Sequence, residues 1–242
     1  MKFLVFAGRN FKELYRDPIS ISLGIIMPSV LLVLFISIGK KVPINIFTPI
    51  SLAPGIIVFS FTFLTMFSAM LLTKDRQSAF LTRLLTTPLK PIDFILAYSI
   101  PFLLVAFLQI TVFYIIGILF GITLNCNMLL SLIVLVPISI TCISIGFLIG
   151  SLCTENQVAG IGSVFIIIAS LFGGGWMDLN MVGGVFKIVG YILPFSHAID
   201  ATRAILIGLP LRTITNNLYW VIGYTLCFFV LGVFSFKWKT RR

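Results

Sequence analysis

Six runs of apolar residues, at 19–38, 52–72, 92–120, 128–152, 158–177 and 218–236, are each about as long as a bilayer core is thick. A helix needs roughly 20 apolar residues to cross about 30 Å of hydrocarbon. Backbone in lipid must satisfy its own hydrogen bonds, so runs of this length span as helices. Asp93, at the end of the third run, is the one acidic or basic side chain inside any of them. The chain therefore reads as an all-α polytopic membrane protein with six transmembrane helices.

Composition points the same way. With 59% hydrophobic and 10% charged residues and a mean hydropathy of +1.15, too few polar groups remain to wet the surface of a soluble globule. Six spans in 242 residues leave little but loops outside the bilayer, so a single transmembrane domain over 1–242 is expected. The first residues have only a short apolar run before Arg9 and carry Glu13 and Asp17, unlike a cleavable signal peptide.

The net charge of +10 follows membrane topology rather than a nucleic-acid footprint. With both ends in the cytoplasm, twelve of the 17 basic residues fall inside: Lys2, Arg9, Lys12, Arg16, Lys74, Arg76, Arg83, Lys90, Lys237, Lys239, Arg241 and Arg242. Five fall outside: Lys40, Lys41, Lys187, Arg203 and Arg212. The positive-inside bias selects this orientation, a multi-pass protein of the cell membrane with cytoplasmic termini. Cys126, Cys142, Cys153 and Cys227 lack metal-site spacing, and three of them sit in or beside spans, where cysteine behaves as a small apolar residue.

Three segments outside the spans carry the functional signal. At the N-terminus, Phe3, Leu4, Ala7, Phe11, Leu14 and Tyr15 form one helical stripe, and Arg9, Lys12, Glu13 and Arg16 form another. This is an amphipathic interfacial helix over 1–18, either a plain anchor or a lever joined to the first span through Arg16-Asp17-Pro18. In the cytoplasmic segment 74–91, Phe80, Leu81, Leu84 and Leu85 occupy adjacent rows of a short helix over 77–86, which Pro88 and Pro91 end. It suits either a groove on a partner protein or a solvated loop. The outer stretch 178–217 holds two apolar pieces too short to span, and reads as a re-entrant hairpin hinged at Pro194-Phe195-Ser196-His197.

Together these segments resemble the ABC-2 type permeases, the membrane subunits of ATP-binding-cassette exporters. The likeness rests on the N-terminal helix ending in Arg16-Asp17-Pro18, the leucine-rich loop running into Thr87-Pro88-Leu89, the six-span plan, and Leu193-Pro194-Phe195-Ser196 followed by Asp200-Ala201-Thr202-Arg203. It covers essentially the whole chain. The family commonly shows glutamates and a glycine before its coupling helix, whereas Lys74-Asp75-Arg76-Gln77-Ser78-Ala79 has neither, which leaves Asp75 and Glu155 as candidate acids facing the ATPase.

The resemblance implies an interfacial helix that includes Arg9, Lys12, Arg16 and Asp17. It also implies a coupling helix seated on a nucleotide-binding subunit, with Asp75, Arg76, Phe80, Leu81, Arg83, Leu84, Leu85, Pro88 and Glu155 at that contact. Pro194, Asp200 and Arg203 would form an outer gate. The implied partners are two copies of the ATPase, which bind ATP and Mg, and a second permease, identical or homologous; membrane lipid surrounds the assembly.

No cofactor is expected in this chain, which has no G-x-x-x-x-G-K-[ST] phosphate loop; Gly173-Gly174-Gly175-Trp176 lacks the lysine and hydroxyl such a loop needs. Ser196, His197 and Asp200 are too close in sequence to converge as a triad. Intramembrane charges of the kind that relay protons or sodium are missing too. A pathway lined by Phe, Ile, Leu and Met suits an amphipathic or lipid-like cargo, a drug or a cell-envelope component. The competing reading is a non-transporting scaffold that docks a cytoplasmic partner, and a neighbouring gene with a phosphate loop separates the two. The orientation is checked with single cysteines at Ser78 and Asn180 in a background without native cysteines: an impermeant thiol reagent on intact cells should label position 180 and not 78.

Overall fold

The computed structural model describes residues 2–41, 47–78, 91–177 and 179–240. The expected coupling helix, with Phe80, Leu81, Arg83, Leu84, Leu85 and Pro88, lies outside the described residues. Among those described, regular structure is all helical: α1 Lys2–Tyr15, α2 Pro18–Gly39, α3 Pro49–Gln77, α4 Pro91–Leu119, α5 Cys126–Leu130, α6 Leu132–Leu152, α7 Glu155–Phe172, α8 Leu179–Val182, α9 Gly184–Ile192, α10 Pro194–Ile207 and α11 Leu211–Thr240. Six stretches are long and apolar enough to cross a membrane: Ile21–Gly39, Pro49–Gln77, Asp93–Leu119, Cys126–Leu152, Glu155–Phe172 and Leu211–Trp238. Each corresponds to one of the apolar runs in the sequence.

The helices are not equivalent. The most apolar stretch of α3 is 83% buried within the protein, against 11% for that of α11. α3 is therefore the central post, touched by α2, α4, α6, α7 and α10. The α3–α6 seam explains how it gets there. In lipid, helices gain little from hiding apolar surface and associate through close packing and interhelical hydrogen bonds, which small residues permit. Gly146 and Gly150 of α6 lie one turn apart and face α3. A β-carbon at Gly150 would stand 2.7 Å from the carbonyl oxygen of Ala69, and one at Gly146 would collide with Ser68 and the Thr65 carbonyl. Across the narrowed gap, Thr65 Oγ1 donates to the Cys142 carbonyl at 2.9 Å, and Thr73 Oγ1 to the Gly150 carbonyl at 3.1 Å.

Several boundaries differ from the sequence expectation. The second span was expected to end at 72, but α3 continues through Lys74, Asp75 and Arg76 to Gln77. Nothing in those residues breaks a helix, and basic side chains in a last turn favour the negative end of the helix dipole. The fifth span was expected to reach 177; α7 instead stops at Phe172, where Gly173, Gly174 and Gly175 follow. α7 also begins earlier, at Glu155, where Gln157 Oε1 accepts from the Thr154 N–H at 3.0 Å.

Before the last span, the hinge expected over 194–197 is a single-residue break at Leu193. Pro194 is the first residue of α10, where its missing N–H costs nothing, and His197 lies inside the helix. α10 ends at Gly208 in the left-handed conformation, with the Leu209 N–H closing on the Ala204 carbonyl at 3.0 Å. The N-terminal stripe also divides differently. Phe6, Ala7 and Asn10 are the buried face of α1, packed on α4, while Phe11 and Tyr15 are exposed.

The seam makes a prediction. Gly150→Ala should destabilise the protein by about 1–3 kcal/mol through overpacking. Gly223→Ala, on α11 with open space around it, should be neutral or stabilising by up to about 1 kcal/mol, the propensity difference between the two residues. Thermal unfolding of both variants in the same detergent measures the contrast.

Candidate functional site

At the C-terminal end of α3, three helices meet on one carboxylate. Asp75, in the last turn of α3, is 3% exposed. Arg9 of α1 grips it with both nitrogens, Nη1 on Oδ2 at 2.5 Å and Nη2 on Oδ1 at 2.9 Å. Tyr98 of α4 donates its hydroxyl to Asp75 Oδ2 at 2.7 Å. A bidentate guanidinium–carboxylate pair is strong and directional, and here the carboxylate is buried enough that water competes little for it. Burial works against the Arg9 charge, but the bonded Asp75 carboxylate and nearby Glu13 outweigh it and raise the guanidinium pKa above its ordinary value.

Supporting contacts fix α1 against this point. Asn10, fully buried, accepts from Arg9 Nη1 at 3.0 Å and donates to the Ala97 carbonyl of α4 at 3.3 Å. Phe6 sets its edge against Phe94 and Tyr98, with ring centroids 5.8 and 5.0 Å apart. Glu13 pairs with Lys74 at 3.1 Å. On the other side of α3, Arg76 Nη1 donates to the Gly150 carbonyl at 2.6 Å, serving an acceptor in the last turn of α6. With its amide nitrogen toward Glu155, Gln77 donates to Glu155 Oε2 and accepts from the Glu155 N–H, both at 3.2 Å. The end of α3 is thereby bonded to α1, α4, α6 and α7, and it lies directly before segment 79–90.

The sequence-derived candidates thus divide. Arg9 and Asp75 come together, although sequence reading put them in different roles. Asp75 faces inward to Arg9 and Tyr98, not outward as an acid presented to a partner; Glu155 is exposed, at the α6–α7 turn. Arg76 is committed to α6. Lys12, Arg16 and Asp17 are exposed on α1 and the turn after it. Tyr98 and Asn10 were missed, because nothing in sequence marks a tyrosine 23 residues downstream as the partner of Asp75. Gly146 and Gly150 were missed as well, and the signal that could have found them is a G-x-x-x-G run within an apolar span.

A second polar cluster closes the N-terminal end of the same helix. Arg203 of α10 donates from Nε to the Ser51 carbonyl of α3 at 2.8 Å, and from Nη2 to the carbonyls of Gly174 and Gly175 at 3.2 and 3.4 Å. Its Nη1 lies 3.7 Å from Asp200 Oδ1, and Asp200 also accepts from the Tyr191 hydroxyl at 2.9 Å. Gly55 and Gly175 let the backbones of α3 and the post-α7 turn touch, since a β-carbon at Gly55 would fall 2.7 Å from the Gly175 Cα. Trp176 follows, wedged against Phe35 and Phe59 and donating from Nε1 to Ser170 Oγ at 2.7 Å. Nearby, buried His197 stacks on Trp220 at 5.2 Å between centroids, with Nδ1 at 2.9 Å from Asn217 Oδ1 and Nε2 at 3.0 Å from the Tyr191 carbonyl. His197 is a packing and bonding residue tying α10 to α11.

Neither cluster has the arrangement of an acid, base and nucleophile around a substrate space, and among the described residues no group of His, Cys, Asp and Glu could hold a metal. What both can do is hold helix ends in fixed relation.

Comparison with known proteins accords with this architecture. The chain is similar to the protein named "Putative transport permease ycf38" from Porphyra purpurea, at 29% identity across 81% of this chain and 71% of that one. It is likewise similar to the proteins of the same name from Cyanophora paradoxa, at 28% identity across 97% of this chain and 80% of that one, and from Pyropia yezoensis, at 28% identity across 79% and 69%. Residues 1–207, taking in both polar clusters and five of the six spans, match the ABC-2 type transporter family. With most of its length so matched, this six-span chain belongs to the ABC-2 type transporter family and is a membrane transport permease.

Proposed function

We propose that this permease is the membrane half of an ATP-driven exporter for an amphipathic or lipid-like substrate. ATP and Mg are bound by a separate nucleotide-binding subunit, present in two copies, and a second permease completes the pathway. Both termini and segment 79–90 face the cytoplasm. The observation that carries this reading is the bonding of α1, α3 and α4 at Asp75. The helices that flank segment 79–90 are joined through Asp75 on α3 and Tyr98 on α4, so a push passed into α3 from that segment would act on the buried central helix. Family membership supports the ATPase partner, and the leucine-rich pattern of the segment supports its seat on that partner. At the far end of α3, Arg203 and Asp200 act as an outer gate whose closure is held by the bonds to Ser51, Gly174 and Gly175.

Two experiments test the two ends. In the first, the permease is co-expressed with its ATPase. Leu84→Asp with Leu85→Asp should abolish co-purification, since burying unpaired carboxylates in an apolar contact costs several kcal/mol. Asp75→Ala, which strips Tyr98 and Arg9 of their acceptor at a cost of about 1–3 kcal/mol, should keep the complex but lower substrate-stimulated hydrolysis. Normal co-purification and hydrolysis in both would reduce the segment to a solvated loop. In the second, Arg203→Ala should impair export or raise basal hydrolysis at an unchanged amount of protein in the membrane. Wild-type transport and basal hydrolysis in that variant would remove the gate.

A further inference from the structure

Two spans carry a proline well inside the helix. Pro28 is the eleventh residue of α2 and Pro101 the eleventh of α4, whereas Pro54 and Pro137 are each the sixth residue of their helices, α3 and α6. Proline has no N–H, so it deletes the bond to the carbonyl four residues earlier. The carbonyls concerned are those of Gly24 in α2 and Ala97 in α4, and Gly24, Pro28, Ala97 and Pro101 are all buried. With no water at hand, such a carbonyl has to find its donor on a neighbouring helix or side chain.

Each of the two is met by an amide from a different helix. Gln109 of α4, fully buried, donates from Nε2 to the Gly24 carbonyl at 3.0 Å and to the Ser60 carbonyl of α3 at 3.3 Å. Asn10 of α1, also fully buried, donates from Nδ2 to the Ala97 carbonyl at 3.3 Å. Gly24 leaves room for the first bond: a β-carbon there would stand 3.0 Å from the Phe67 ring and 3.6 Å from Gln109 Nε2. Among the described residues Gln109 Oε1 has no partner, so the side chain is held by its donor end.

A bond within a helix moves with that helix, but these substitutes break when two helices part. The stiffness of α2 at Pro28 therefore depends on where α4 stands, and that of α4 at Pro101 on where α1 stands. Asn10 also accepts from Arg9, whose grip on Asp75 seats α1. Gln109 lies eight residues beyond Pro101 on α4, so a bend at Pro101 shifts it relative to Gly24.

We propose that Pro28 and Pro101 are hinges latched in series: with α1 seated, Asn10 closes the break in α4 and Gln109 the break in α2, and when α1 lifts both latches open and both spans bend. The latches rest on these bonds alone. Their use in transport rests on the export reading, in which they would carry a movement of α1 to α2.

From Ile19 to Pro28 is about 13 Å of helix, so a bend of about 20° swings the start of α2 by about 5 Å. Nitroxide probes on cysteines at Ile19 and Leu152, both exposed, in the full chain without its native cysteines, read that swing by pulsed electron spin resonance, because the glycine seam fixes α6 to α3. The distance should be narrowly distributed in the parent chain. Gln109→Leu should widen the distribution several-fold, and adding Pro28→Ala, which restores the missing N–H, should narrow it again. Asn10→Leu should widen it too. Pro101→Ala should correct Asn10→Leu, a rescue that mere loss of the Arg9 contact does not allow, and should leave Gln109→Leu wide. Gln109→Met, similar in length and without a donor, takes the place of Gln109→Leu should that variant not fold. A parent-like width in a folded Gln109 or Asn10 variant, or a widening that the proline replacements leave untouched, would overturn the latches. No ATPase or substrate enters the measurement, so that failure would leave the export reading standing.

Discussion

The architecture depends on how closely α3 and α6 approach. Hydrocarbon is as good a solvent for leucine as a neighbouring helix is, so burial of apolar area cannot by itself hold a span inside a bundle. Gly146 and Gly150 remove the side chains that would keep the backbones apart. Thr65 and Thr73 then reach carbonyls of the opposite helix. Each such bond is modest, on the order of 1 kcal/mol in membranes, but the approach they accompany brings dispersion contacts along the whole seam. With α3 fixed to α6, the remaining helices have a post to pack on, and the two ends of that post become the places where polar groups can be shielded.

Those ends are built alike in purpose and differently in chemistry. The C-terminal end of α3 uses a carboxylate with two donors from other helices, Arg9 and Tyr98, and so is charge-assisted. At its N-terminal end an arginine addresses backbone carbonyls of α3 and of the turn after α7, with Asp200 completing the neutralisation. An isolated ion near hydrocarbon is expensive, which is why such residues are rare and carry partners. Both arrangements constrain helix termini rather than helix middles.

The outer faces of α2, α7 and α11 are little buried, and much of their surface is large apolar side chain. Lipid, a second permease and cargo all have chemistry that suits such faces.

Span number, the helical class and the charge asymmetry across the chain were legible in sequence, because the thickness of the bilayer translates directly into a count of apolar residues. The segments between the spans stood out for the same reason: they interrupt that count. Which face of each span turns inward was not legible, since helices such as α2, α4 and α6 are apolar all round and carry no stripe to mark the core. Tertiary structure alone decided that Asp75 faces Arg9 and Tyr98 rather than solvent, that Arg76 serves the end of α6, and that Arg203 reaches across to Ser51, Gly174 and Gly175. These pairings join residues up to 152 positions apart. They are fixed by the order in which helices pack, and no local pattern encodes that order.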